Sequence, residues 1–479
     1  MGPKEGTYQM PGNCFMTLAE MAKVTGGRLL GPDRPVGPAI KSDSRKVDRG
    51  DGFIALPGAK DDGHIYVAGA IARGACFVIM EEGKAGEKVL NESREKVSFL
   101  LVKNTPKALK DAAAHLFLRK AALDEIVAIT GTVGKTTTRE CIAAVLRKRY
   151  RVHAARESYN TWIGCALSIL EMPLDTEILI LEMGTNHPGE ILEMAQSYPP
   201  TTAVITAIGP GHLEGLTDLD GVLEAKMEIL HSSRLKRVLY NADSDILENR
   251  LCSGNFPFDL FSVGFGKGTY LLREGGFSFE QDTIKTKIEI AKEDKRLLFS
   301  SYLFGPQHAY AMGFSIACGD LFNVEHLQVV EAIEQVRPLP GRGITGKSSR
   351  GVWYIDETYN ANPLSMWQAL VNLKSLKLKP GGRKCAVLGG MKELGKETSR
   401  LHRDVLDFAK DLDFVVLIGD EWTKALGSQD GKKTFRYYHD AAGVASLLDG
   451  ELAPGDMVLL KGSRAYGLEK ILKEAGCLA

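Results

Sequence analysis

The sequence predicts an α/β protein of three domains, and three observations lead there. Its 479 residues exceed what one hydrophobic core usually holds, since domains run about 100 to 200 residues. From residue 126 onward, apolar runs of strand length alternate with helical patterns, the arrangement of a mostly parallel sheet covered on both faces. Boundaries fall near residue 104, ahead of the helix that leads into this pattern, and at the "VRPLPGRG" stretch, so the expected units are 1–104, 105–338 and 339–479.

The first unit is small and α/β. Short apolar strands such as "GFIAL" and "ACFVIM" lie between Gly- and Asp-rich turns, with one helical segment, "IYVAGAIARG". "TPKALKDAAAHLFLRKAAL" then reads as a helix leading into the second unit, with Thr105 as its N-cap and Pro106 at the first helical position. The second unit runs as "IVAIT" and a helix, "EILILE" and "GEILEMAQSY", "TTAVITAI" and "GVLEAKMEILHSS", then "RVLYNAD". Residues 269–304 alternate polar and apolar positions and read as an antiparallel addition. Beyond the Pro/Gly stretch, read as a hinge, the rhythm returns with "KCAVLGG", "FVVLIGD" and "MVLLKGS". This third unit has the pattern of a Rossmann-like domain.

Composition narrows the function. Sixty Lys and Arg residues balance sixty Asp and Glu, so no overall field favours nucleic acid or an anionic membrane surface. With 44% apolar and 25% charged residues, the chain reads as soluble and globular. Cysteines at 14, 76, 141, 165, 252, 318, 385 and 477 form no C-x-x-C pair and read as reduced packing residues. "MGPKEGTYQMPGNCFM" lacks the apolar core of a signal peptide, and no window approaches the ~20 apolar residues that span a bilayer. A cytoplasmic enzyme without a membrane span is expected.

The most informative stretch is "IVAITGTVGKTTTRECIAAVL" at 126–146. A phosphate loop follows a buried strand and opens a helix, and Gly131, Thr132, Val133, Gly134, Lys135, Thr136 and Thr137 stand at that junction. Glycines let the backbone turn its N–H groups toward phosphate oxygens, while the helix N-terminus adds positive potential. Lys135 would reach the terminal phosphates and the Thr136 hydroxyl would ligate Mg²⁺. The usual first glycine, with four residues between it and Gly134-Lys135-Thr136, would fall at 129, where Ile129 stands instead. The central unit is therefore expected to be a P-loop ATPase domain with a shortened loop.

A metal–nucleotide site also needs an acidic residue at a neighbouring strand end, and Glu182 ends the apolar run "EILILE". His212 and Glu214 follow a third strand; a histidine there is as readily structural as metal-binding. Lys226 lies on a helix, where most lysines simply reach water. In the third unit, Asp356 ends a strand in "YIDETYNANPLSM", placed to accept hydrogen bonds from a ribose, and Arg342 in "PLPGRG" is placed to neutralise a transferring phosphate.

Taken together, these segments resemble the Mur ligases of peptidoglycan synthesis. The resemblance covers nearly the whole chain: "DSRKVDRGDGFIALPGAKDDGHIYVAGAIARGA", "GTVGKTTT", "EMGTNHPGEI", "ITAIGPGHLEGL" and "EAKMEIL". Toward the C-terminus, "ETYNANPLSM", "VLGGMKELGKETSRLH" and "LLKGSRAYGLEKIL" look like the member that adds D-alanyl-D-alanine to UDP-N-acetylmuramoyl-tripeptide. The family uses the short loop, which accounts for the missing glycine. It implies an ATP-dependent carboxylate–amine ligase acting through an acyl phosphate, with small-molecule substrates, a cytoplasmic location and a monomeric chain.

By that resemblance, Lys135, Thr136 and Glu182 hold the phosphates and a first Mg²⁺, and His212 a second. Lys226 matches a lysine that CO₂ carbamylates, turning a cation that would repel Mg²⁺ into an anion that ligates it. Arg342, Asp356, Tyr359 and Asn360 match ATP contacts from the third domain, so domain closure completes the site. Asp43, Ser44, Arg45 and Asn160 align with regions holding the UDP-sugar peptide. Asn362, Lys461, Ser463 and Arg464 align with substrate contacts, the last three facing the acceptor's carboxylate end.

The chain departs from the family pattern in four places. "GPQHAYAM" replaces Gly-x-His-Asn-x-x-Asn, with Ala309 and Met312 at the asparagine positions, one of which contacts adenine in the family; adenine recognition is expected to differ. "GGM" at 389–391 replaces Gly-Asp-Met, Thr132-Val133 replaces Ser-Asn, and the asparagine-rich substrate loop retains only Asn160. A divergent enzyme with the usual substrates and a paralog with another amine or carboxylate both fit these changes. A non-catalytic nucleotide-binding scaffold fits less well, since it has no need of Lys135, Thr136, Glu182, His212 and Lys226 together.

Overall fold

Strand Glu125–Thr130 is buried along both faces, Ile126 and Ala128 in one core and Val127 and Ile129 in another. A strand with no wet side needs helices above and below, which is why its sequence is an unbroken apolar run. The protein, a computed structural model, is described here for residues 16–36, 39–58, 61–84, 90, 96–119, 123–155, 159–173, 175–426 and 435–475. The expectations for the N-terminal leader, Cys14 and Cys477 lie outside these residues. Among the described residues, no helix is long and apolar enough to cross a membrane.

Three sheets follow one another along the chain. The first has five short strands, four parallel and an antiparallel edge strand, Arg28–Leu30. A helix at Leu18–Thr25 precedes it, beyond the single helical segment expected. Its reciprocal cap, Thr17 with Glu20, is the T-x-x-E signature of a helix start. The helix Thr105–Arg119 links this sheet to the next and contributes Leu109, Ala112 and Leu116 to the core shared by both. Asn104, not Thr105, caps it: Asn104 Oδ1 accepts the Lys107 N–H at 2.7 Å, while the Thr105 hydroxyl donates to Ala55 O at 2.7 Å.

The central sheet has nine strands. Going out from Glu125–Thr130, Ile178–Glu182 and then Val152–Ala154 lie on one side, and Thr202–Ile205, Arg237–Asn241 and Asp259–Gly264 on the other, all parallel. The connections therefore leave in opposite directions around Glu125–Thr130, which opens a crevice at its carboxyl end, the usual ligand position in such sheets. Strands Tyr270–Glu280, Thr283–Lys292 and Lys295–Ser301 form the expected antiparallel addition. The third sheet has six strands in the order Ile344–Lys347, Trp353–Glu357, Met457–Lys461, Lys384–Gly389, Phe414–Ile418, Phe435–Tyr438; only the first pairing is antiparallel.

The antiparallel addition ties the second sheet to the third. Ile284 and Phe304 are buried in the core of the C-terminal unit, and Phe279 packs edge-on against Trp353 with centroids 5.2 Å apart. The Thr345 hydroxyl accepts the buried Ile284 N–H at 2.9 Å. Thr345→Val keeps the shape and strands that N–H, so stability should fall by about 1–3 kcal/mol. Urea unfolding would check this; an unchanged midpoint means the N–H has found another acceptor.

Candidate active site

The loop after Glu125–Thr130 is set by one close approach. Gly131 has φ 140°, and a Cβ there would lie 2.1 Å from Thr206 Oγ1, so only glycine passes the neighbouring strand end. The Thr132 hydroxyl donates to Gly209 O at 3.0 Å and accepts the Gly209 N–H at 3.1 Å, while Thr206 Oγ1 donates to Val133 O at 2.5 Å. Gly134, at φ 85°, then starts the helix Lys135–Leu146. That helix's first N–H groups have no intrahelical acceptors, which makes its start receptive to anions. Lys135 Nζ folds back onto Gly131 O at 2.6 Å.

Sheet register brings Glu182 alongside, opposite Ile129. Its carboxylate is 1% exposed, accepts from the Thr136 hydroxyl at 3.2 Å and lies 3.4 Å from Arg139 Nη1. Arg139 is itself buried and also pairs with Glu140 at 2.6 Å. A buried carboxylate is costly unless it is paired and hydrogen-bonded, and both conditions are met here.

Basic side chains gather near Lys135. Loss of solvent pulls the pKa of Lys135 down, helped by Arg342 and opposed by Glu182. Lys226, on helix Leu219–Met227, is 1% exposed, and burial together with Lys135 lowers its pKa to about 7. Burial also lowers the pKa of His212; Glu393 opposes that shift, while Lys135 and Lys226 add to it. Arg342 arrives from the C-terminal unit with its guanidinium 3.8 Å from the Tyr359 ring centre.

Asp356 places that pair. Its buried carboxylate accepts from Gly341 N at 3.1 Å, Thr358 N at 3.1 Å and the Thr358 hydroxyl at 2.6 Å, and Gly341 O accepts from Tyr359 N at 3.0 Å. Burial raises the Asp356 pKa, and the Thr358 and Gly341 hydrogen bonds offset part of the rise. The result is a cavity of about 580 Å³ between the central and C-terminal units, in the size range of small-molecule sites.

Three family models match along the chain: the Mur ligase family catalytic domain at residues 39–117, the Mur ligase middle domain at 129–319 and the Mur ligase glutamate ligase domain at 342–464. A curated UDP-N-acetylmuramoyl-tripeptide--D-alanyl-D-alanine ligase from Bacillus subtilis is 30% identical over 475 residues, covering 96% of this chain and 98% of that one. The chain belongs to the Mur ligase family. Among solved structures, MurF from Acinetobacter baumannii is similar at TM-score 0.78 and 25% identity, covering 97% of this chain and 99% of that one. MurF ligase from Thermotoga maritima in complex with ADP is similar at TM-score 0.74 and 26% identity, covering 91% of this chain and 97% of that one. The expectation of an ATP-dependent ligase stands.

The cavity of this Mur ligase brings many of the expected residues together. Thr132, Val133, Gly134, Lys135, Thr136, Thr137, Asn160, Glu182 and His212 line it from the central unit, and Arg342, Tyr359, Asn360, Asn362 and Lys461 from the C-terminal unit. Gly131 lies beneath the loop. Lys461 is 2% exposed and donates to Glu357 Oε2 at 3.3 Å and Asn360 O at 3.1 Å. Asn362 caps the helix Pro363–Ser375 through Ser365 N.

Other expected residues are outside its lining. Lys226 is packed behind it. Asp356 is buried and accepts its three hydrogen bonds from Gly341 and Thr358. Ser463 is buried, and Arg464 is exposed with its guanidinium 5.6 Å from the Tyr359 ring centre. Asp43 caps the turn Ser44–Lys46, and its hydrogen bonds with Arg45 hold its pKa down.

Ala309 and Met312 are both 0% exposed and packed in the apolar core, and neither lines the cavity. On helix His308–Leu321 and just before it, the lining positions are Gln307, His308, Tyr310 and Ala311. His308 Nε2 is buried without a hydrogen-bond partner.

Sequence reasoning missed Arg139, Asn241, Asp243 and Tyr310. Asn241 and Asp243 carried the strand-end signal that found Glu182, since both follow "RVLY". Arg139 carried none, because a helix arginine is ordinarily wet. Arg139→Met leaves the Glu182 carboxylate with Thr136 alone, and stability should fall by about 3–5 kcal/mol, as when one partner of a buried pair is removed. Arg139→Lys should lose less. Equal unfolding midpoints for the methionine variant and the parent would contradict the pairing.

Proposed function

We propose that this Mur ligase adds D-alanyl-D-alanine to UDP-N-acetylmuramoyl-tripeptide with ATP, in peptidoglycan synthesis, as a cytoplasmic monomer. The observation that carries the reading is the phosphate loop with Lys135 and His212 facing one cavity from the central unit and Arg342 facing it from the C-terminal unit, beside the buried Glu182 carboxylate. Lys135 and Arg342 at one cavity favour a polyanion, and a triphosphate fits that demand. We take the units as 1–104 for the UDP-sugar, with Asp43, Ser44 and Arg45, then 105–338 for ATP and 339–479 for closure and the acceptor. The wall formed by Asn241, Asp243, His308 and Tyr310 is assigned to the base.

The chemistry runs in two steps. A carboxylate oxygen of the tripeptide attacks the terminal phosphorus of ATP, the bond to the bridging oxygen breaks, and ADP leaves. Lys135 and Arg342 neutralise the charge spread over the equatorial oxygens. The amine of the dipeptide then attacks the acyl carbon, and phosphate departs from a tetrahedral intermediate as the amide forms. Asn160, Asn362, Lys461, Ser463 and Arg464 are assigned to holding the two peptides in line, where positioning supplies much of the rate.

Thr136 Oγ1 and Glu182 Oε1, 3.2 Å apart, are a hard-oxygen pair suited to Mg²⁺. Among the described residues, no group of three or more His, Cys, Asp or Glu side chains could hold a metal by itself, so nucleotide oxygens and water would complete the shell. Bound there, Mg²⁺ supplies charge neutralisation to the phosphates. His212 and a carbamylated Lys226 are assigned to a second ion.

The favoured substrates have one specific rival. Gly390 stands where the family has Asp, and a Cβ there would meet Glu421 Oε2 at 2.4 Å. This altered surface near the acceptor residues favours, as the second reading, a ligase that takes another amine. Phosphate release that requires both UDP-N-acetylmuramoyl-tripeptide and D-alanyl-D-alanine supports the first reading; turnover with a different pair supports the second. Lys135→Ala should lose turnover at least 100-fold, in the range of other electrostatic groups at transferring charge. Near-parental activity in that variant would sink the loop's role.

Lys226 gives a pH prediction. Carbamylation needs the neutral amine, whose nitrogen attacks CO₂ and sheds a proton. With the pKa lowered to about 7, roughly half the side chain is neutral at pH 7, against about 0.04% for an ordinary lysine. Burial lowers the value, so the reactive form is retained above pH 7 and lost below it. Uptake of labelled bicarbonate should therefore fall as pH drops through about 7. Lys226→Ala should be inactive and partly restored by formate or acetate. An unmodified lysine at pH 8 with full activity would refute the carbamate.

A further inference from the structure

We propose that Glu393 is a positioning residue through which the C-terminal unit fixes the ring of His212. The inference rests on the reading of His212 as a ligand of the nucleotide-bound metal. Two observations carry it. His212 Nδ1 and Glu393 Oε2 are 2.6 Å apart across the boundary between units, and the Glu214 N–H donates to Glu393 O at 3.3 Å. Both partners also have left-handed backbone, φ 54° at His212 and φ 64° at Glu393. Six described non-glycine residues have positive φ, and two of them are these partners. Such conformations cost energy and persist where surrounding structure over-determines them.

The loop carrying Glu393 is over-determined in this way. His402, wholly buried, accepts the Met391 N–H on Nε2 at 3.0 Å and donates from Nδ1 to Thr398 O at 2.7 Å. Lys392 is paired with Glu421, and the side chains of Met391 and Leu394 are buried. With both neighbours pinned, Glu393 is presented to the central unit at a fixed angle. Its side chain is 56% exposed, so the contact adds little to folding.

The consequence is chemical. A carboxylate accepts, so the short contact puts the ring proton on Nδ1 and leaves the Nε2 lone pair free. Histidines that bind metals are oriented by such a partner on the other ring nitrogen. Here the partner comes from the unit that also brings Arg342. The unit that supplies Arg342 to the cavity thus also orients His212.

Nitrogen NMR of the histidine rings in the nucleotide-free protein tests this directly. His212 should be the Nδ1–H tautomer in the parent and in Glu393→Gln, which keeps an acceptor oxygen, and a mixture in Glu393→Ala. An unchanged tautomer in Glu393→Ala overturns the proposal. Mn²⁺ titration with ADP present separates the underlying reading. Affinity in Glu393→Ala should fall about 10- to 100-fold. A changed tautomer with unchanged Mn²⁺ affinity upholds Glu393 and removes His212 from the metal site.

Discussion

Desolvation of basic side chains beside one cavity is the constraint around which this enzyme is arranged. Lys135, Arg342, His212 and Lys226 come from four separate segments; burial lowers the pKa of Lys135, His212 and Lys226, and neighbouring basic groups add to each shift. Glu182 relieves only part of this, because Thr136 and Arg139 already engage it. The fold positions three of these residues through local structure: a glycine turn under Lys135, a packed helix around Lys226, and the Asp356 clamp behind Arg342. The energy unspent on neutralisation is available to a polyanionic ligand.

Asp356 shows how a strand-end carboxylate serves that end indirectly. It accepts three hydrogen bonds from the residues flanking it, and these bonds tie the chain at Gly341 to the chain at Thr358. Arg342 and Tyr359 are the next residues along those two segments, so their stacking is the product of a buried carboxylate that never meets the cavity. Gly341 sits at φ 73°, with room for no Cβ against Tyr359 N at 2.7 Å. A ribose contact and a backbone clamp make the same demand on sequence, namely an acid at the end of an apolar strand.

That ambiguity defines how far the sequence could be read. Strand ends were legible because polarity that follows a fully apolar run is conspicuous, and Thr136, Glu182 and the glycines of the loop all stood on that signal. Helix faces were less so. Ala309 and Met312 belong to a helix that is apolar almost all round, so position along the motif did not say which side met the cavity. Arg139 was hidden for the opposite reason, being a charged residue buried by a partner 43 residues away. Thr105 illustrates a local miss: a good capping residue followed by proline, outcompeted by Asn104 because Ala55 O needed its hydroxyl.

The units are held together by contacts of two kinds, and the difference bears on how the cavity is completed. Near the chain crossing, Thr345 and Ile284 join by a buried hydrogen bond amid apolar packing that includes Phe304 and Trp353. Such contacts are expensive to break and favour a constant attachment. Farther out, His212 meets Glu393 through an exposed polar contact that water can replace at small cost. A firm joint beside a weak distal contact permits rotation about the joint. Under the role proposed for Glu393, that weak contact sets the His212 ring at little cost to the stability of the fold.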